Sequence, residues 1–246
     1  MLLFCPALSS AAWSGHRCVN AKLHAFSAAN GAASAAIAAA MMTDVPKLTQ
    51  DELRLLGDQS GLGSSTYGEI TSSGFQTLMV SCELAQSDQF VDLGSGRGIC
   101  VLQAAREYHV HRACGIELAP SRHALAIQAL AAAEENVRDR TRFIEGDAAA
   151  PSVAAMLDEE ESTVVYCSNL LFDEPLMRRI AKLLEAARSV RCVAALRPID
   201  GGLDGFVVAE QPVHCEMSWT KPSGQGHPCV VYRRVDNGWW MGRRAP

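Results

Sequence analysis

The spacing of apolar positions changes along the chain, and each change marks an element. Residues 50–56 read as a short helix, and 57–65, with Gly, Ser and Asp throughout, as a loop. Phe75, Leu78, Met79 and Cys82 recur at helical spacing and predict a helix over 74–84. From residue 90 onward, apolar runs at 90–93, 113–118, 142–145, 163–167 and 192–196 predict strands, and 99–107, 121–136, 153–157 and 175–189 predict the helices between them. Strands alternating with helices argue for an α/β fold, a Rossmann-like parallel sheet with helices on both faces. The last third differs: 207–217 and 229–235 read as strands joined by a Pro- and Gly-rich loop over 220–227, so antiparallel strands are expected to close the sheet. No internal repeat is present.

The chain has 246 residues, 48% of them hydrophobic, and a mean hydropathy of +0.04. That suits one α/β domain with a modest appendage. The expected division is a low-complexity segment over 1–48, a domain over 49–236 with a lead-in at 49–88 and a core at 89–236, and a tail over 237–246. The first 43 residues are rich in Ala and Ser and contain no Asp or Glu, only Arg17 and Lys22 as fixed charges. Three readings stay open for them: an organellar transit peptide, a polar tail, or sequence upstream of a start at Met41 or Met42. No apolar run reaches the length of a membrane span, and membrane association is not expected.

Net charge is −5, which makes weak or no intrinsic DNA binding the expectation. The nine cysteines include no C-x-x-C pair and lie mostly in apolar runs, as reduced buried thiols do. His109 and His111 have no further ligand nearby in sequence, so no metal site is expected.

Candidate chemistry concentrates where the predicted strands end. Val91-Asp92-Leu93-Gly94-Ser95-Gly96-Arg97-Gly98 is an acidic strand end followed by a glycine turn, the place where a doubly wound sheet lets backbone approach a nucleotide. The third glycine comes one residue earlier than in the pyrophosphate-binding G-x-G-x-x-G pattern. S-adenosylmethionine suits that difference, because it carries an ammonium-bearing methionine tail where a dinucleotide carries pyrophosphate. Glu117, ending the second strand, can accept both ribose hydroxyls. Asp147, ending the third, can accept the exocyclic amine of adenine. Gly94, Ser95, Gly96, Gly98, Asp92, Glu117 and Asp147 are therefore the candidate cofactor residues.

A wider set of motifs carries a resemblance. Tyr67-Gly68-Glu69, the glycine turn, Gly115-Ile116-Glu117, Ser168-Asn169-Leu170-Leu171-Phe172, Ser218-Trp219-Thr220 and Tyr232 together resemble the disruptor-of-telomeric-silencing family over roughly residues 65–234. These are histone-lysine methyltransferases that lack a SET domain and use the seven-stranded class I methyltransferase fold. The resemblance implies that Tyr67 and Glu69 sit in a loop folding over the cofactor, and that Ser168, Asn169, Phe172, Trp219 and Tyr232 line a lysine channel. The chain departs from the family pattern at Ile70, where Thr is common, at Ser168, where a second Asn often stands, and in a longer loop between Trp219 and Tyr232.

Such a channel also answers the chemistry. A lysine amine must shed a proton before it can attack a methyl group, and from a reference pKa of about 10.4 this costs about 4.6 kcal/mol at pH 7. Aromatic walls and a nearby sulfonium charge both disfavour the ammonium. In-line placement would supply most of the acceleration, with Ser168 or Asn169 accepting a hydrogen bond from the amine. The expected function is S-adenosylmethionine-dependent protein-lysine N-methylation, a core histone being the acceptor that the resemblance implies. Methylation of a small molecule or non-histone protein, and non-catalytic cofactor binding, stand as alternatives. A histone acceptor places the protein in the nucleus; an organelle or the cytoplasm are the other compartments. Arg233, Arg234, Arg243 and Arg244, beside Trp239 and Trp240, form the one local basic cluster, for nucleosomal DNA or as a solvated terminus.

Overall fold

The computed structural model describes Val45 and residues 47–59, 68–221 and 224–235. All lie in one compact unit, Ala35–Pro246. The expectations for 1–44, for Tyr67 and for the tail over 237–246 fall outside the described residues.

Among the described residues two helices precede the sheet, α1 (Gln50–Gln59) and α2 (Ser72–Ser81). Then follow β1 (Gln89–Leu93), α3 (Ile99–Glu107), β2 (Arg112–Glu117), α4 (Pro120–Ala131), α5 (Glu135–Arg138), β3 (Thr141–Glu145), α6 (Pro151–Leu157) and β4 (Thr163–Cys167). A 3-10 turn, Asn169–Leu171, leads into α7 (Glu174–Ala186), and then come β5 (Val190–Ala195), β6 (Phe206–Val208), β7 (Val213–Cys215) and β8 (His227–Arg234).

The strands lie in the order β3-β2-β1-β4-β5-β8-β6, with β7 also paired to β8. β1 to β5 are parallel to one another, and β8 runs antiparallel to β5, β6 and β7. The order reverses between β1 and β4, so their carboxyl ends open a crevice.

Both faces of the sheet are covered, which is why the strands read as unbroken apolar runs. Phe90, Val164, Tyr166 and Ala194 pack on one face with Phe75, Leu78, Leu102 and Val137. Val91, Leu93, Val165 and Val193 face the other way, onto Leu157, Leu176, Ile180 and Leu184. α7 shows how sequence sets such an element. The Asp173 carboxylate accepts the Leu176 N–H at 2.9 Å, a proline occupies the first turn, and Leu176, Met177, Ile180, Leu183 and Leu184 recur on its buried face.

Three expected elements change shape. The helix over 121–136 divides into α4 and α5, because Arg106 holds the Glu134 carboxylate at 2.8 Å in the intervening turn and Val137 descends into the core. The strand over 207–217 divides around Pro212, which has no N–H to add to a ladder. Its halves, β6 and β7, pair with opposite ends of β8. Where a loop is expected from residue 57, α1 continues to Gln59, and 60–65 lie outside the described residues.

One buried ion pair ties the amino ends of the strands to α2. Asp88 and Arg191, 0% and 3% exposed at their side chains, meet at 2.5 Å. Arg191 also donates to the Cys82 and Glu83 carbonyls at 3.0 and 2.9 Å, where α2 ends. Asp88 accepts from the Ser162 hydroxyl at 2.5 Å and from the Ala85 N–H at 2.8 Å. Arg191→Met should lower stability by about 3–5 kcal/mol in urea unfolding, because it strands the Asp88 charge; pairing it with Asp88→Asn should recover part of that loss.

Candidate active site

The turn after β1 is held open by the end of β2. The N–H groups of Gly94 and Ser95 both donate to the Ile116 carbonyl at 2.9 Å. The Gly96 N–H donates to Glu117 Oε2 at 2.8 Å, and the Ala119 N–H to Glu117 Oε1 at 2.8 Å. Gly94, Gly96 and Gly98 have φ of +86°, +55° and +81°, a region that side chains disfavour.

Two adjoining cavities open over this turn. The larger encloses about 650 Å³, part of it open to solvent, among Leu56, Gly94, Gly96, Ile116, Glu117, Leu118, Arg122, Asp147, Ser168 and Phe172. The smaller, about 360 Å³, lies among Glu69, Asp92, Gly94, Ser95, Ile99, Cys100, Tyr166 and Ser168. Gly68, Gly94, Gly96 and Ser168 line both, so one elongated ligand can occupy them together.

Most expected cofactor residues meet here. Asp92 is 2% exposed, and its Oδ1 is buried with no hydrogen-bond partner among the described residues. Burial pushes its pKa well up, and the Glu117 and Glu69 carboxylates push the same way. A cationic group arriving in the smaller cavity would relieve that cost. Glu69 is ion-paired with Arg97 at the rim of that cavity, its Oε1 accepting from Arg97 Nε at 2.8 Å. Glu117 and Asp147 each hold the backbone as well as face the larger cavity: Asp147 Oδ1 accepts the Ala149 N–H at 2.9 Å, and its other oxygen pairs with Arg179. Each carboxylate oxygen keeps a lone pair for a ligand. The unpaired Asp92 acid in the smaller cavity, with the Glu117 carboxylate and the apolar Ile116 and Leu118 in the larger, suits a ligand with a cationic end, a hydroxyl-bearing middle and an aromatic base, as S-adenosylmethionine has.

Gly98 lines neither cavity, contrary to expectation. A Cβ there would lie 2.3 Å from the Phe143 ring and 3.1 Å from the Ala126 methyl, so this glycine lets α3 begin close against β3 and α4.

The expected lysine-channel residues divide. Ser168 lines both cavities and Phe172 the larger one, its ring 3.0 Å from where a Cβ on Gly94 would stand. Trp219, 45% exposed, lays its indole against Gly68, within 2.5 Å of where a Cβ would be. Asn169 is fully buried and belongs to the framework: its amide donates to the Arg197 carbonyl at 3.1 Å and accepts the Arg197 N–H at 3.0 Å. Tyr232 is corrected too. It is 2% exposed in the core beneath α7, borders neither cavity, and its hydroxyl accepts the Ile199 N–H at 2.7 Å. The strand pairing decides this, because Tyr232 sits opposite Val193, inside the sheet rather than at its carboxyl edge.

Sequence reasoning missed α1 as a wall of the site. Leu56 reaches the larger cavity from it, and Arg122 reaches it from α4. Thr49 and Glu52 form a capping box, Glu52 N–H to Thr49 Oγ1 at 3.2 Å and Thr49 N–H to Glu52 Oε2 at 2.8 Å, a pattern visible in the sequence. Its second use was not visible: Glu52 Oε1 accepts the Ser121 N–H at 2.7 Å, fastening α1 onto the start of α4.

A family profile described as "Histone methylation protein DOT1" matches residues 50–200, more than half of the 246-residue chain. The protein belongs to the DOT1 family. Among curated relatives, a "Histone-lysine N-methyltransferase, H3 lysine-79 specific" of Eremothecium gossypii is 28% identical over 145 residues, 54% of this chain and 24% of that one. A Caenorhabditis elegans protein of the same description is 33% identical over 126 residues, 48% of this chain and 13% of that one. The chain thus matches a quarter or less of these relatives' length. Among solved structures, TrmN from Thermus thermophilus superposes with a TM-score of 0.53 at 20% identity, covering 70% of this chain and 52% of that one. The methyltransferase domain of bacterial CtHen1-C gives 0.50 at 12% identity, covering 66% and 97%. The fold is the class I methyltransferase fold.

In this DOT1-family chain the expected basic cluster is partly structural. Arg234 is 4% exposed, donates to the Val190, Leu184 and Ala187 carbonyls at 2.7, 2.8 and 2.9 Å, and lies 4.3 Å over the Phe206 ring. Arg233 donates to the Ser81 carbonyl at 2.6 Å. Arg243, Arg244, Trp239 and Trp240 lie outside the described residues. No described helix is long and apolar enough to cross a membrane, and no three His, Cys, Asp or Glu residues among those described gather as a metal site would require.

Two outcomes follow. Burial alone would raise the Glu52 pKa, but hydrogen bonds from Ser121 and Thr49 outweigh it and hold the carboxyl at about 2. A depressed acid stabilises the fold above its ordinary value of 4.5 and loses that contribution as pH falls toward 2. The stability gap between wild type and Glu52→Gln should therefore be full at pH 7 and close over that acidic window in chemical denaturation. Tyr232→Phe should cost about 1–3 kcal/mol of stability by stranding the Ile199 N–H, while ligand binding in the cavities is unchanged by calorimetry.

Proposed function

We propose that this protein is an S-adenosylmethionine-dependent protein-lysine N-methyltransferase, acting in the nucleus on a histone. The observation that carries the reading is the buried Asp92 carboxylate, whose unpartnered oxygen sits beside the glycine turn in the smaller cavity and calls for a cation. Membership of the DOT1 family and the H3 lysine-79 specificity of its relatives support a lysine acceptor in a histone.

When bound, S-adenosylmethionine supplies a methyl group made electrophilic by its sulfonium charge. The chain's own residues then divide the work. Asp92 attracts the cationic end, Glu117 holds the ribose hydroxyls, and Asp147 with Ile116 and Leu118 receives the base. Ser168, Phe172 and Trp219 border the acceptor side. Phe172 and the indole exclude water, which disfavours a lysine ammonium, and the Ser168 hydroxyl is available as an acceptor for the amine.

Labelled S-adenosylmethionine supplied with free histones, nucleosomes or whole-cell protein should leave label in methyllysine after acid hydrolysis. Label confined to small molecules would sink the protein-lysine reading. Asp92→Asn should weaken cofactor binding by about 1.5–3 kcal/mol, the usual contribution of a charged hydrogen bond. Because Asp92 carries a raised pKa until a cation arrives, binding should release a proton and tighten as pH rises, which calorimetry in buffers of different ionisation enthalpy detects.

A further inference from the structure

We propose that His227 accepts the proton that the substrate amine sheds before methylation. The inference rests on the lysine-methylation reading above and adds a residue that reading lacks, a base on the acceptor side. His227 opens β8 and is half-buried, its ring 6.0 Å from the Trp219 ring at an interplanar angle of 70°. His227 itself lines neither cavity; it stands behind Trp219, which covers Gly68, and Gly68 lines both. The aromatic neighbour of Trp219 is therefore an imidazole, where the sequence suggested the Tyr232 phenol.

The tautomer follows from one bond. His227 Nε2 lies 2.7 Å from the Leu196 carbonyl oxygen, which can only accept, so Nε2 carries the hydrogen and a neutral ring keeps its lone pair on Nδ1. Leu196 is itself held in place. It follows β5 directly, and the next residue, Arg197, is pinned through both backbone groups by the Asn169 amide. Asn169 thus sets the carbonyl, the carbonyl sets the imidazole, and the imidazole sits against the tryptophan at the carboxyl edge of the sheet.

In the proton step the N–H bond of the lysine ammonium breaks, a new N–H bond forms at Nδ1, and the electron pair stays on the amine, which is then competent to take a methyl group. Other ionisable groups on the neighbouring elements are engaged, chemically different or turned away: His214, the other imidazole on β7, pairs with Pro228 and so faces the opposite side of the strand from Cys215 and His227. Arg197 donates to the Asn169 and Phe172 carbonyls, Glu69 is paired with Arg97, and Glu216 accepts from Thr71 and Ser73. Cys215 lies across β7, its thiol pushed upward first by its contact with Cys229 and then by burial, and Lys221 stands in the loop between β7 and β8.

His227→Gln tests this, since the glutamine amide can still donate to the Leu196 carbonyl while removing the basic nitrogen. With a histone or extract protein as acceptor, wild-type kcat/KM should stay nearly flat from neutral pH up to the lysine range near 10.4, because the proton the amine sheds stays on the enzyme. In the variant only free amine reacts, so the rate should be about 10²-fold lower near pH 7 and climb about tenfold per pH unit toward the lysine range near 10.4, recovering as it does. A merely structural role would scale the profile without changing its shape. Should the variant not fold, the wild-type profile still decides: a tenfold climb per unit from neutral pH upward overturns the proposal, as does a variant whose profile matches the wild type. Binding of S-adenosylmethionine with no transfer to any protein by the wild type would instead overturn the lysine-methylation reading, and this inference with it.

Discussion

The site depends on a short set of hydrogen bonds between the turn after β1 and the end of β2. Three consecutive N–H groups, of Gly94, Ser95 and Gly96, point back at the Ile116 carbonyl and the Glu117 carboxylate. That arrangement folds the turn away from the crevice and leaves space above it. In a dinucleotide fold the equivalent N–H groups face a pyrophosphate. Here they are consumed internally, and carboxyl groups stand where a phosphate would have to sit: Asp92, Glu117 and Asp147 come at the ends of three adjacent strands. A ligand with a cationic end and a hydroxyl-bearing middle matches that field, and one with a diphosphate does not.

The Phe172 side of the larger cavity is organised by a second framework, centred on the turn after β5. Asn169 holds Arg197 as one strand would hold another, with a donor and an acceptor side by side. Arg197 returns to the Asn169 and Phe172 carbonyls at 3.0 and 2.8 Å, so the segment after β4 and the segment after β5 brace each other. Phe172 is presented to the cofactor turn from this brace. Trp219 arrives from the opposite side because residues 69–71 and 216–218 run antiparallel: the Ser218 N–H donates to the Glu69 carbonyl at 2.8 Å and the Thr71 N–H to the Glu216 carbonyl at 3.0 Å. Segments 149 residues apart in sequence, Glu69 and Ser218, thereby share one edge of the site.

The errors of sequence reading have separate causes. Tyr232 and Phe172 are both aromatics within motif-like surroundings, yet only Phe172 faces a cavity; the difference is the register of β8 against β5, which periodicity cannot give. Gly98 looked like a ligand contact because it completes a glycine pattern, and it is instead a packing glycine demanded by the Phe143 ring. Asn169 is polar and near the site, but full burial commits its amide to backbone. The division of the expected 207–217 strand at Pro212 is the one miss whose cause was visible in the sequence.

By itself the sequence determined the parallel α/β sheet, the glycine turn and the carboxylates at Asp92, Glu117 and Asp147, because these follow from local rules: apolar runs, positive φ at glycine, and strand ends. Tertiary structure alone decided which residues meet across long separations. It brought α1 over the cavity through Glu52 and Ser121, put Trp219 on Gly68, withdrew Tyr232 into the core and set His227 against Leu196. Those outcomes depend on strand register and on which buried polar groups find partners, and both are properties of the assembled sheet rather than of any one segment.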